Sequence, residues 1–112
     1  MKIYHNPRCS KSRSALQLLE DKGLEVEIVK YLEDTPSKSE LKDLLKKLGL
    51  KAEEIVRKGE NDYKENFKGK ILSEDEWIAA FIRYPKLIER PIFVKGDKAV
   101  VGRPPENVLS LL

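Results

Sequence analysis

The spacing of hydrophobic residues in the first 30 positions predicts a strand, a helix and a second strand. Residues 2–5 predict a short strand that ends at His5. Over 10–22 the apolar residues recur at helical spacing, and Gly23 ends the helix. Residues 24–29 alternate between apolar and polar, as expected for a second strand. A strand, a helix and a strand within about 30 residues form a βαβ unit, so we expect the two strands to be parallel.

The middle of the chain, from about 37 to 84, predicts a block of helices. Two of them begin at capping-box pairs and carry apolar stripes. A short helix is expected over 52–58, whereas the polar stretch of about 60–70 leaves its structure undetermined, with one helical turn as one option. The capping-box pairs are Ser37 with Glu40 and Ser73 with Glu76.

The last part of the chain predicts two strands and a helix. Apolar residues 92–94 and 99–101 flank a tight hairpin turn at 95–98, and Pro104-Pro105 suits the start of a final helix. The order βαβ, helices, ββα predicts the α/β class, with a thioredoxin-like four-stranded mixed sheet and an inserted helical segment. We expect a single domain over 1–112, with the insertion at about 37–84.

Composition narrows the classes of function. The chain has 112 residues, of which 22 are basic and 19 acidic, so its net charge of +3 is too small to indicate nucleic-acid binding. No stretch approaches the roughly 20 apolar residues of a membrane span, and none resembles a signal peptide. One cysteine and one histidine predict neither an internal disulfide nor a metal site. We expect a cytoplasmic protein with no tightly bound cofactor.

The single cysteine, Cys9, is predicted to lie at the start of the first helix. Free N–H groups and the helix dipole favour a thiolate at that position. Arg8, Lys11 and Arg13 add positive charge beside it. The segment therefore predicts a site where a nucleophilic sulfur meets an anion.

The segment Cys9-Ser10-Lys11-Ser12 resembles a redox Cys-x-x-Cys motif with a hydroxyl in place of the second thiol. Without a resolving cysteine, a disulfide must form with another molecule. Turnover is therefore expected to need an external thiol. His5 and Ser12 are candidates for activating Cys9, since a neighbouring imidazolium lowers the pKa of a thiol.

Three arginines lie next to the predicted ends of helices or strands. Arg57 lies near the end of a short helix, Arg90 precedes Pro91 before the third strand, and Arg103 follows the fourth strand. The bond before Pro91 is a candidate for the cis form. If the three side chains converged near Cys9, their guanidinium groups would hold a tetrahedral oxyanion.

Four segments, in this order, resemble the glutaredoxin-dependent arsenate reductases of the ArsC type, over essentially the whole chain. They include the predicted cysteine loop and both proline-containing signatures near the C-terminus. The segments are Tyr4-His5-Asn6-Pro7-Arg8-Cys9-Ser10-Lys11-Ser12-Arg13, Tyr31-Leu32-Glu33, Glu89-Arg90-Pro91-Ile92 and Gly102-Arg103-Pro104-Pro105-Glu106.

The resemblance implies a catalytic role for Cys9, which would attack arsenate. It implies that Arg57, Arg90 and Arg103 bind the oxyanion, and that His5 corresponds to the family's histidine near the cysteine. Glutathione or glutaredoxin would be the external thiol, and arsenic detoxification the biological role. The chain departs from some members at Gly102, where they carry a second cysteine, and it lacks their longer C-terminal extension.

Two other functions remain open. Regulators of the Spx type share the resemblance and bind RNA polymerase, but they typically carry Cys-x-x-Cys, and Ser12 replaces the second cysteine here. A function as a monothiol glutaredoxin-like thiol transferase fits Cys-x-x-Ser, but it does not account for Arg90 and Arg103.

Overall fold

A computed structural model describes all 112 residues, which form two compact units. The first unit comprises residues 1–34 and 90–112, and the second comprises 35–89. The first contains strands β1 (Lys2–Tyr4), β2 (Glu27–Val29), β3 (Ile92–Lys95) and β4 (Lys98–Val101), helix α1 (Ser10–Asp21) and the 3-10 helix Pro105–Leu111. The second contains α2 (Lys38–Leu48), α3 (Asn61–Asn66), α4 (Glu74–Arg83) and the 3-10 helices Ala52–Ile55 and Pro85–Leu87.

The sheet of the first unit is mixed, in the order β2-β1-β3-β4. β1 is parallel to β2 and antiparallel to β3, and β3 pairs antiparallel with β4 through a turn at Gly96. The predicted four-stranded mixed sheet and inserted helical segment are confirmed. The description of the whole chain as a single domain stays a prediction.

The core of the first unit is the layer between α1 and the sheet. Ile3 and Phe93 from the strands pack with Ala15 and Leu19 from α1 and with Val108, and all five side chains are fully buried. Burying a side chain such as Leu19 contributes roughly 1.5–3 kcal/mol relative to leaving it exposed. This packing fixes α1, and with it the loop between β1 and α1, against the sheet.

The helices of the second unit follow their sequence signals closely. Ser37 caps α2, and Gly49 ends it in the left-handed conformation at φ 69°. Ser73 caps α4 with both hydrogen bonds of the capping box. Leu41 of α2 and Phe81 of α4 are fully buried in this unit.

Several segments differ from their predicted form or had none. The helix expected over 52–58 is a 3-10 helix that ends at Ile55, because Val56 instead forms an antiparallel bridge with Ile88. The polar stretch at 60–70 contains the six-residue helix α3. Its aromatic side chains contact α4, with the Phe67 and Trp77 ring centroids 5.6 Å apart. The final helix has 3-10 rather than α geometry.

Candidate active site

Three segments that are far apart in the sequence meet at the carboxyl end of β1. Tyr4, the last residue of β1, pairs with Ile92 at the start of β3, and Ile92 also pairs with the last residue of β4. The loop after β1 carries Cys9, the segment before β3 carries Arg90, and the segment after β4 carries Arg103. The antiparallel pairing of β3 with both neighbours therefore brings the cysteine and two of the predicted arginines to one edge of the sheet.

Cys9 is the N-cap residue of α1, and the residue as a whole is 9% exposed. Burial is the largest influence on its thiol and by itself raises the pKa. The backbone N–H of Ser12, the hydrogen bond and charge of Arg90, and the backbone N–H of Lys11 all lower it, and together they hold the pKa of Cys9 below its ordinary value. The sulfur is thus a better nucleophile near neutral pH than a free cysteine would be.

Arg103 is held directly against the sulfur of Cys9. Its Nη2 donates to Cys9 Sγ at 3.4 Å, and its Nε donates to the backbone oxygen of Arg90 at 2.8 Å. Asn107 Nδ2 donates to the backbone oxygen of Arg103 at 3.0 Å. A guanidinium fixed in this way is arranged to bind an anion at the sulfur without first having to be ordered.

Each of the two proline signatures contains a cis peptide bond, at Arg90-Pro91 and at Arg103-Pro104. The candidate cis bond before Pro91 is therefore present. Gly102 is packed closely between these signatures: an added Cβ would lie 2.8 Å from Pro91 Cγ and 3.1 Å from Val108 Cγ1.

His5 contacts Ser12 in the buried part of the loop. His5 Nδ1 lies 2.6 Å from Ser12 Oγ, which also accepts the backbone N–H of Asn6 at 3.0 Å. Burial, followed by the positive charges of Lys30 and Arg13, lowers the pKa of His5, and Glu20 opposes them only in part.

His5 is consequently neutral at neutral pH, and its Nδ1 shares a hydrogen bond with the hydroxyl of Ser12. A neutral imidazole cannot lower the pKa of Cys9 by its charge. The geometry instead places His5 against Ser12, whose backbone N–H favours the thiolate. Activation of Cys9 through these two residues stays a prediction.

Asn6 shapes the loop, a role that the sequence interpretation missed. Its backbone oxygen accepts the N–H of Cys9 at 3.0 Å, and its Oδ1 accepts the N–H of Arg8 at 3.0 Å. Arg13 Nη1 donates to the backbone oxygen of Pro7 at 3.0 Å, so its side chain braces the loop. The Asn-Pro dipeptide was the available signal, since asparagine side chains commonly bond the backbone two residues onward.

Arg57 belongs to the second unit, where two carboxylates surround it. Its Nη1 donates to Glu89 at 3.0 Å, and its Nε lies 3.4 Å from Glu60. Its backbone N–H donates to the oxygen of Leu87 at 2.7 Å. No local pattern pointed to Glu89, which is 32 residues away. The predicted role of Arg57 in binding the substrate stays a prediction.

No group of three or more histidine, cysteine, aspartate or glutamate side chains is placed to hold a metal ion. None of the helices combines the length and the apolar character needed to cross a membrane.

Comparisons with known proteins place the chain in a family. The family model described as "ArsC family" matches residues 4–111. An arsenate reductase of Neisseria meningitidis is 48% identical over 100% of this chain and 97% of its own. An uncharacterised protein of Escherichia coli K12 is 52% identical over 100% of this chain and 96% of its own.

The fold comparison agrees with the sequence comparison. The solved structure of an arsenate reductase from Vibrio cholerae superposes with a TM-score of 0.94 at 50% identity, covering 100% of this chain and 98% of that one. The family match spans the cysteine loop and both proline signatures that form the site. The chain is therefore a member of the ArsC family.

Proposed function

We propose that this chain is an arsenate reductase that uses Cys9 as its nucleophile and an external thiol as its reductant. The observation that carries the proposal is the hydrogen bond from Arg103 to the sulfur of Cys9, at 3.4 Å. It is supported by the effect of Arg90 on the pKa of the same sulfur and by the names of close relatives.

In the proposed reaction, the thiolate of Cys9 attacks the arsenic of bound arsenate. A sulfur–arsenic bond forms, and one arsenate oxygen leaves as water after protonation. Arg90 and Arg103 offset the negative charge of the remaining oxygens, as an oxyanion site does. The N–H groups at the start of α1 add hydrogen bonds there.

Arsenic must then gain two electrons. An external thiol, glutathione or a glutaredoxin, attacks the adduct, and a second thiol completes the exchange. The sulfurs of the two external thiols are oxidised to a disulfide, and arsenic is reduced from As(V) to As(III). Arsenite and the free thiol of Cys9 are released. Because Cys9 is the only cysteine of the chain, both of these reducing thiols must come from other molecules.

The test is arsenate reduction with glutathione, with and without glutaredoxin, for the wild type and for Cys9→Ser, Arg103→Gln and Arg83→Gln. We expect no turnover with Cys9→Ser. Loss of a charge-stabilising donor costs on the order of 10² in rate, which is the loss we expect for Arg103→Gln. Arg83 is exposed on α4 in the second unit, so Arg83→Gln is the matched control.

Equal rates for the wild type and Cys9→Ser would refute the proposal, as would a wild type that does not reduce arsenate. Reduction of a small mixed disulfide that is insensitive to Arg90→Ala would favour a thiol transferase instead.

A further inference from the structure

A cavity of about 380 Å³ lies beside the Cys9 loop, within the first unit. It is lined on one side by residues 5–8, after β1, and on the other by Lys30, Leu32 and Glu33, after β2. The parallel pairing of β1 with β2 creates it, because the carboxyl ends of parallel strands open at the same edge of a sheet.

The charged residues of this cavity are two cations and one carboxylate. Arg8, Lys30 and Glu33 carry these charges, and all three side chains are exposed and can therefore reach a ligand. His5 also lines the cavity and is neutral at neutral pH, since burial and the charge of Lys30 lower its pKa. A ligand that matches the lining has two anionic groups and one cationic group.

The cavity is adjacent to the nucleophile in the chain. Arg8 directly precedes Cys9, so the Cα atoms of these two residues are about 3.8 Å apart. An extended tripeptide spans roughly 10 Å. Cys9 does not itself line the cavity, but a tripeptide held at Arg8 is long enough to reach the neighbouring sulfur.

We propose that this cavity binds glutathione. Glutathione carries two carboxylates, one ammonium group and a central thiol, which match Arg8, Lys30 and Glu33 in charge and Cys9 in chemistry. A small inorganic anion has no cationic group to pair with Glu33. The inference rests on the proposed function, which requires an external thiol but does not say where it binds.

The test measures one thiol–disulfide exchange without arsenate. The Cys9 thiolate attacks glutathione disulfide, the sulfur–sulfur bond of that molecule breaks, a mixed disulfide forms on Cys9, and one glutathione thiolate leaves. Mass spectrometry follows the mixed disulfide in the wild type, in Lys30→Glu and in Lys22→Glu. Lys22 is the matched control, because it is exposed at the far end of α1 from Cys9 and its variant has the same net charge.

We expect Lys30→Glu to slow the reaction with glutathione disulfide about fivefold or more relative to Lys22→Glu, since an attraction is replaced by a repulsion. With the uncharged bis(2-hydroxyethyl) disulfide, the two variants should react equally. Lys30→Gln, which introduces no new charge, should give a smaller effect of the same sign.

Equal rates for Lys30→Glu and Lys22→Glu with glutathione disulfide would overturn the proposed site. Slowing by the same factor with both disulfides would also overturn it, because it would show a general effect on Cys9. If Lys30→Glu slows only the reaction with glutathione disulfide and the wild type does not reduce arsenate, the glutathione site stands and only the proposed function fails. If arsenate is reduced with only a protein thiol and Lys30→Glu has no effect, the cavity is not the thiol site.

Discussion

At the scale of single residues, the chemistry of Cys9 depends on groups that oppose its burial. A buried thiol without partners would be a poor nucleophile, because a low-dielectric surrounding disfavours the thiolate. Here the backbone N–H groups at the start of α1 and the guanidinium of Arg90 outweigh that cost. The contact from Arg103 adds a second cation at the sulfur.

The first prediction concerns the pH dependence of Cys9. Alkylation by iodoacetamide follows the thiolate, so the rate rises as pH increases through the pKa of the thiol. Because the pKa of Cys9 is lowered, the wild-type profile should lie at lower pH than that of a free cysteine. Arg90→Gln removes a hydrogen bond and a positive charge that lower the pKa of Cys9, so it should move the profile to higher pH.

The control for this titration is Arg83→Gln, which lies on α4 in the second unit and should leave the profile unchanged. A profile for Arg90→Gln that coincides with the wild type would show that Arg90 does not act on the sulfur.

Gly102 provides a second prediction at this scale. Gly102→Ala brings a Cβ within 2.8 Å of the rigid ring of Pro91 and 3.1 Å of Val108. Such overpacking costs about 1–3 kcal/mol, and each kcal/mol lowers the Tm of a domain of this size by roughly 4–8 °C. Thermal unfolding followed by circular dichroism measures the change.

Gly59→Ala is the matched control for Gly102→Ala. An added Cβ at Gly59 meets nothing within 4 Å, and its backbone is outside the left-handed region. We expect its Tm to be unchanged or slightly raised. If both variants melt together, the close packing of Gly102 against Pro91 does not constrain the fold.

At the scale of elements, the helix ends are set by short local signals. Ser73 Oγ accepts the N–H of Glu76 at 3.2 Å, and Glu76 Oε1 accepts the N–H of Ser73 at 2.8 Å. At α2 the first of these two bonds is present, since Ser37 Oγ accepts the N–H of Glu40 at 3.2 Å. These caps depend on a few neighbouring residues, so the sequence predicted both starts correctly.

The prediction for these elements is that Ser73→Ala destabilises the protein by about 1 kcal/mol, through loss of the cap of α4. Ser14→Ala makes the same chemical change at an exposed position inside α1, where alanine is the better helix former. Urea denaturation should show a lower midpoint for Ser73→Ala only. Equal midpoints for the two variants would mean that the capping box does not stabilise α4.

Elements whose ends are set by distant partners were predicted less well. The helix expected over 52–58 ends early because Val56 pairs with Ile88, which lies more than 30 residues along the chain. β2 begins at Glu27 rather than at Leu24, since only the last three residues of the predicted strand pair with β1. Pairing across the chain overrides local propensity in both cases.

At the scale of the whole molecule, anion binding should be measurable as stability. A ligand that binds only the folded state stabilises it, by about 2.7 kcal/mol at 100 times its Kd. Arsenate should therefore raise the Tm of the wild type and of Arg83→Gln relative to chloride at equal ionic strength. Arg103→Gln should lose most of this shift, because the anion loses the guanidinium that lies at Cys9.

Each variant in this experiment is compared with itself in chloride, so a lower intrinsic stability of Arg103→Gln does not affect the result. A shift in Arg103→Gln as large as that of the wild type would place the bound anion away from Cys9.

The sequence by itself determined the local parts of this protein: the capped helices, the hairpin at Gly96, and a cysteine at the start of α1. Each depends on backbone conformation and hydrophobic spacing within a few residues. Only the tertiary structure decided that Arg103, 94 residues from Cys9, donates to its sulfur, and that His5 is a neutral partner of Ser12. Those results follow from strand pairing and burial, and neither is a property of a short segment of sequence.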